Sequence, residues 1–357
     1  MIMRTEIVST SSRMAEVGPA WDALWKRGGE NVFQSHGWIG AWWNSKPIDD
    51  LTRLCVGLCW VEDDLVAVMP FTTRRHRGIR VLEWAAKDCC DYCDALVDPD
   101  FTESLRALEQ VWAAVAASGG FDLAYLSHVR PDAAVRNLLD GQRKRVTFRP
   151  GHRSARSLQV RNDGLDGASW FRGLDTKARD GHARAMRIVG ETGPVAVRVS
   201  EPGNATDAVL ERMIVLKQQW LANTGQSSTI LDRNALTLRA LVKELVRQQA
   251  LQVFSIHCGD RLVAALLNIA AGTRAQAFFV AHDPQFDHAS PETLVLVEYV
   301  VKAFDMGIME VDLLCVEEEH KFTFANARVY LASYVGARTL IGKLALSISE
   351  RLDRRRG

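Results

Sequence analysis

Residues 287–322 read DHASPETLVLVEYVVKAFDMGIMEVDLLCVEEEHKF. Ser290 sits where an N-cap hydroxyl can accept an orphan backbone N–H of a first helical turn. Pro291 suits the first helical position, which needs no N–H, and Glu292 complements the positive end of the helix dipole. Gly307 then closes the helix as a left-handed residue does. Between these ends the charges are Glu292, Glu298, Lys302 and Asp305, with Glu298 and Lys302 spaced to pair on an exposed face. Everything else is apolar nearly all round, the pattern of a helix buried against a sheet. Met309, Val311 and Leu313 alternate as a strand, with Asp312 on its other face. Upstream, residues 275–281 read as a strand that breaks at Asp283-Pro284. A strand, a loop, a capped helix and a second strand make one α/β crossover. The helix start is an ordinary connection of such folds; it is also a dipole end suited to an anionic group.

The same order occurs earlier in the chain. A shift that carries Leu54 onto Leu251 also carries Val56, Asp63, Leu65, Val66 and Ala67 onto identical residues at Val253, Asp260, Leu262, Val263 and Ala264. Both segments read as β-hairpins. Eight positions out of that register, Glu103, Leu105, Glu109, Val111 and Ala114 fall on Glu292, Leu294, Glu298, Val300 and Ala303, and a strand follows each helix. Hairpin, helix and strand therefore recur in order, which predicts a duplicated chain. The expected fold is α/β (α+β): two tandem units, at residues 1–150 and 151–357, with mixed, mostly antiparallel sheets flanked by helices and right-handed crossovers. Residues 170–190 read as one basic helix and residues 91–97 as a short strand.

Composition narrows the function. The chain has 357 residues, a formal net charge of +1 and 24% charged residues, so no global bias toward nucleic acid or acidic partners appears. No apolar run reaches the length of a membrane span, and the first residues carry no secretory h-region. Seven cysteines in mostly apolar contexts fit a reducing cytoplasm. Cys90-x-x-Cys93 has no second pair, so no metal site is expected. GxSxG and HExxH are absent, which excludes the common hydrolase and zinc-protease templates.

The hairpin, the Ser290-Pro291 helix, Gly307, the strand bearing Asp312 and the ending at Lys321 resemble the GNAT acyltransferase superfamily. The likeness is to its duplicated cellulose-biosynthesis-type (CelD-like) acetyltransferases, relatives of the Fem-type transferases. "VFQSHGWIGAWW", "LVAVMPF" and "DYCDALV" fit the same pattern, which spans roughly residues 20–340. The resemblance implies an N-acyltransferase that uses acetyl-CoA or another acyl-CoA as co-substrate and a small-molecule or sugar amine as acceptor. The donor's diphosphate is implied at the helix start, with Ser290, His282, Asp283 and His288 in its loop. Asp91, Tyr92 and Asp94 match a pattern of the first unit that is implied to meet the acceptor. The chain departs from the family at three positions: Glu292 replaces a glycine, and Val316 and His320 stand where a glycine and a tyrosine are common. A carboxylate at Glu292 repels phosphate, which leaves room for aminoacyl-tRNA as donor, or for a catalytically silent binding protein.

Acyl transfer to an amine needs a place for the amine's proton and a donor for the tetrahedral oxyanion. His320 titrates near neutrality, Lys321 can steady the oxyanion or a phosphate, and Asp312 can orient the amine. The basic run of Arg143, Lys144, Arg145, Arg149, His152, Arg153 and Arg156 continues into Lys177, Arg179, His182, Arg184 and Arg187. Lys177, Arg184 and Arg187 lie roughly one helical face apart, a face suited to a phosphate of CoA, of a nucleotide-sugar or of a tRNA acceptor stem. No membrane partner is expected.

Overall fold

Strand propensity and helix caps place most elements where the residues predict them. The computed structural model describes residues 2–28, 31–46, 51–141, 146–151, 155–231, 233–315 and 323–353. His320, Lys321 and Val316 therefore lie outside the described residues, as do Arg143–Arg145, His152 and Arg153. The chain forms two compact units, residues 1–155 with 330–357, and residues 156–329.

In the first unit, β1 (Met3–Val8), β2 (Thr52–Val61), β3 (Asp64–His76) and β4 (Ile79–Trp84) pair antiparallel in that order. The expected strand at 91–97 shrinks to β5 (Leu96–Val97), which pairs with β3. Before it the backbone turns, because the Asp94 carboxylate draws in the N–H groups of Ala95, Ala134 and Val135 at 2.7–3.0 Å. β6 (Leu123–Val129) runs parallel to β4, and a two-residue β7 (Arg149–Pro150) completes the unit's earlier strands. The helices are α1 (Ser11–Glu16), α2 (Gly18–Gly28), α3 (His36–Ser45), α4 (Ser104–Ala117) and α5 (Arg136–Asp140). α4 packs on β1–β3 and buries Leu108, Val111 and Val115, the face its apolar spacing marks out.

The second unit holds β8 (Ala155–Arg161), β9 (Val195–Ser200), β10 (Leu251–Cys258), β11 (Arg261–Ala271), β12 (Arg274–His282) and β13 (Glu310–Asp312). Their order is β8-β13-β12-β11-β10-β9, antiparallel throughout except for the parallel pair β12/β13. In each unit, then, a hairpin and a third strand lead through a helix to a strand parallel to the third. The basic segment forms two helices, α6 (Gly167–Gly173) and α7 (Thr176–Gly190), because Asp175 caps a new start by accepting from the Ala178 N–H at 2.7 Å. α8 (Asn204–Thr224), α9 (Leu236–Arg247) and α10 (Pro291–Asp305) follow.

α10 lies against β10–β12 and against α6 and α7, so Leu294, Val295, Leu296, Val297, Tyr299 and Val300 are all buried. Its all-round apolar pattern has this physical cause. Gly167 lets α6 approach closely, since a Cβ there would sit 2.1 Å from the Val301 carbonyl oxygen. Glu298 does not pair with Lys302 as its spacing suggests; it bonds His182 of α7 at 2.7 Å.

The chain ends with β14 (Ala327–Ala337), which pairs antiparallel with β6, and α11 (Leu340–Asp353). Division of the sequence at residue 150 gave residues 330–357 to the second unit; the structure packs them with the first.

Candidate functional site

A cleft of about 580 Å³ opens in the second unit between α7 and the start of α10. One wall is α7, where small Ala178, Gly181 and Ala185 alternate with Lys177, His182 and Arg184. The other wall is His288, Ser290 and the first turns of α10, with Phe324 at its edge. Four residues singled out from sequence thus share one cleft: Lys177, Arg184, His288 and Ser290. No ion pair of Lys177 or Arg184 is found among the described residues, and both are exposed. Nothing lies within 4 Å of a Cβ added at Gly181, so the wall there stays shallow.

Ser290 differs in conformation from its sequence reading. Its backbone is left-handed at φ 50° and ψ 58°, not extended, and its hydroxyl caps no N–H. It ends the 3-10 turn Pro284–Ala289 instead: its N–H donates to the Asp287 carbonyl and its carbonyl accepts from Leu294. The hydroxyl is thereby left over for the cleft.

Behind this wall, His282 bridges two carboxylates. Its Nδ1 lies 3.0 Å from Glu292 Oε1 and its Nε2 lies 2.9 Å from Asp287 Oδ1. Burial favours the neutral ring, but the bonds to Glu292 and Asp287 outweigh it and raise the imidazole above its ordinary value. Lys217 of α8 adds a contact to Glu292 at 3.6 Å. His282 and Lys217 thus both contact the Glu292 carboxylate.

Asp283 is 2% exposed and does not line the cleft. It accepts from the Gln285 N–H at 3.0 Å and from Arg261 at 2.8 Å, with Arg212 at 3.4 Å. Burial opposes ionisation there, but these donors lower its pKa. Asp283 is an anchor for the loop.

Asp312 is 3% exposed, at the end of β13. Ser157 donates to it at 2.7 Å, Gln159 at 3.4 Å and the Leu314 N–H at 2.9 Å. Close by is Tyr299, whose hydroxyl donates to Asn268 at 2.5 Å. Burial first, and the Asp312 charge second, push that phenol well above its ordinary value. Ser157, Gln159, Asn268 and Tyr299 escaped the sequence reading. A polar residue inside an apolar strand, such as Asn268 in LLNIAA, was the available signal.

His182 was noted in sequence only as part of the basic run. In the cleft its Nε2 meets Glu298, and its ring packs edge-on against Phe171 at 4.8 Å. A histidine oriented by a carboxylate is the arrangement of a proton carrier.

Tyr92 and Asp94 line a separate cavity, of about 660 Å³, within the first unit; Asp91 is not among its lining residues. Arg130 lies over the Tyr92 ring at 4.9 Å. Burial pushes Asp94 up to about 7 against the pull of its three backbone N–H donors. Among the described residues no group of three or more His, Cys, Asp or Glu is placed to hold a metal ion. No helix of the described residues is long and apolar enough to cross a membrane.

Comparison with known proteins bears on this cleft. Residues 176–322 match the family model described as Acetyltransferase (GNAT) domain, a stretch that includes α7, α10 and the loop before α10. Residues 176–322 thus have the sequence pattern of a GNAT-type acyltransferase domain. No curated protein matches the sequence. Among solved structures, FemX superposes with a TM-score of 0.56 at 9% identity, covering 93% of this chain and 96% of that one. A conserved protein of unknown function from Bacteroides thetaiotaomicron VPI-5482 gives 0.58 at 12% identity, covering 94% and 100%. L-PGS from Bacillus licheniformis gives 0.53 at 10% identity, covering 94% and 96%. At these identities the likeness is one of fold.

Proposed function

We propose that this acyltransferase-domain chain moves an acyl group from an acyl-CoA, acetyl-CoA in the simplest case, to an amine of a small-molecule or sugar acceptor. The observation that carries the reading is the cleft wall: Lys177 and Arg184 face the start of α10 across Ser290 and His288. Its main obstacle was Glu292, and that carboxylate is held by His282 and Lys217. With Glu292 compensated, the dipole end and two cations favour a diphosphate. Ser290 and His288 add polar contacts to it, while His282 and Asp283 hold the loop that presents them.

The amine must lose a proton to attack. His182, oriented by Glu298, is the group in the cleft suited to take it. Lys321 is proposed to steady the oxyanion and His320 to assist proton transfer. Asp312 is proposed to fix, through Ser157 and Gln159, the strand end from which that segment departs. Tyr92, Asp94 and Asp91 are proposed as the acceptor-side residues of the first unit. We read the two units as duplicates, on the identities between their hairpins and their shared strand–helix–strand connection.

A second donor, aminoacyl-tRNA, is favoured by one feature: α7 also exposes Arg187, extending the cationic face beyond a diphosphate. Calorimetric titration with acetyl-CoA separates the readings. Binding that weakens at least about tenfold in Lys177→Glu/Arg184→Glu supports acyl-CoA, since each opposed charge costs on the order of 1 kcal/mol. Unchanged affinity in that variant refutes the proposed cradle. No binding, with RNase-sensitive transfer, selects the second donor. Within the first reading, Lys321→Ala lowers turnover at least about tenfold; unchanged turnover removes its role.

A further inference from the structure

The first unit contains a thiol site that the acyl-transfer reading does not use. Cys90 and Cys93 lie in the turn between β4 and β5, each 5% exposed. Cys93 lines the cavity of about 660 Å³ beside Tyr92, Asp94, Arg130 and Gln34. Its N–H donates to the His128 carbonyl at 3.0 Å, which pins the turn to β6. His128 is itself in a left-handed backbone conformation, φ 59°, sparsely populated by non-glycine residues and a mark of imposed geometry. Cys90 and His128 are the groups that act most strongly on the Cys93 sulfur, and the buried His128 Nδ1 has no hydrogen-bond partner among the described residues. Of the two cysteines, Cys93 is the one that lines the cavity.

The electrostatics agree with that geometry. Hydrogen bonding from Cys90 is the largest influence on Cys93; with His128 it overcomes burial and brings the thiol down to about 7. Burial drives Cys90 the other way, well up, so Cys90 keeps its proton. His128 is raised despite its burial, because the Cys93 sulfur stabilises the imidazolium. Asp91 and Lys87 are the further charges that act on the pair. Elsewhere, burial alone raises Cys55 to about 11 and raises Cys59, leaving them as inert core thiols.

We propose that Cys93 and Cys90 form a thiol–disulfide exchange site, with Cys93 the nucleophile toward a small organic disulfide that enters the first unit's cavity and Cys90 the resolving thiol. In the first step the Cys93 thiolate attacks one sulfur of R–S–S–R. A Cys93–S–S–R bond forms, the R–S–S–R bond breaks, and one RS⁻ leaves. Cys90 then gives up its proton and attacks the Cys93 sulfur. The Cys90–Cys93 disulfide forms, and the second RS⁻ leaves as a thiol. Two protein thiols are oxidised and one small disulfide is reduced to two thiols. The spacing of two residues between the cysteines suits this closure.

The test is native-state incubation of the full chain with oxidised glutathione near pH 7, followed by peptide mass mapping. The expected wild-type product is an intramolecular Cys90–Cys93 disulfide. Cys90→Ser should instead accumulate a stable glutathione adduct on Cys93. His128→Asn, chosen because asparagine tolerates the left-handed backbone, should slow capture at Cys93 about tenfold by raising its thiol. The proposal is overturned if adducts form at the half-buried Cys315 alone, or if Cys93→Ser reacts at Cys90 as fast as the wild type reacts at Cys93. Circular dichroism of each variant checks that its fold is kept; if Cys90→Ser loses its fold, the wild-type product and the His128→Asn rate still decide the question.

Discussion

Glu292 stands at the start of α10, where His282 and Lys217 hold it at 3.0 and 3.6 Å. In sequence it reads as a poor neighbour for a phosphate. The partners that change this reading stand ten residues before it and on a different helix, so no local pattern shows them. The same pairing has a pH signature. His282 has a folded-state pKa raised above its ordinary value, so its contribution to stability is full below about 6.5 and is lost as pH rises through the folded value. Thermal melting at about pH 5.5 and about pH 8.5 tests this. His282→Gln should lower the melting temperature more at the acid pH than at the alkaline one. Equal losses at both would mean that the ring is held neutral. The loss at acid pH should be about 2 kcal/mol, the scale of hydrogen bonds to charged groups.

At the scale of the element, α10 was the most legible part of the chain and also the place where a detail failed. Its limits, its burial and its crossover to β13 follow from Pro291, Gly307 and apolar spacing. What spacing does not encode is the backbone conformation of the capping residue. Ser290 is left-handed because the turn before it is a 3-10 turn held by Asp283, a buried anchor whose arginine partners are distant in sequence. Ser290→Ala should therefore leave stability within about 0.5 kcal/mol, where loss of a working cap costs about 1 kcal/mol. Chemical denaturation reads the difference, and a loss at the level of a cap contradicts the left-handed start. Gly167 supplies the opposite case. A methyl there meets the α10 backbone at Val301, so Gly167→Ala should cost about 3 kcal/mol by forcing α6 off α10. The reading of residues 170–190 as one helix missed that Asp175 caps a second start, although Leu174-Asp175-Thr176 carries the cap residue itself.

For the whole molecule, the two-unit plan and the antiparallel character of the sheets were legible because hairpins and helices repeat in order. The return of the chain's end to the first unit was not, since strand pairing over two hundred residues leaves no periodic trace. That return rests on specific contacts. β14 pairs with β6 from Ala332↔Val129 to Ala337↔Leu123. Arg338 then donates to the Phe121 carbonyl at 2.7 Å, and the Thr339 hydroxyl to Asp122 at 3.1 Å. Asp122 is also bound by Arg80, which lowers its pKa and ties β4 into the same junction. At Gly342 a Cβ would lie 2.0 Å from the Asp122 carbonyl oxygen, so α11 reaches this junction only through a glycine. Ending the chain after Val329 strips β6 of its antiparallel partner, leaves it paired only with β4 and puts buried Leu126 and Val129 on an open sheet edge. Amide hydrogen exchange should then show protection lost across β6 and β4, while β10–β12, whose core is built within residues 156–329, stay protected. Retained protection in β6 would mean that β14 is an accessory strand. Loss of protection in both units alike would mean that the second cannot hold its fold without residues 330–357.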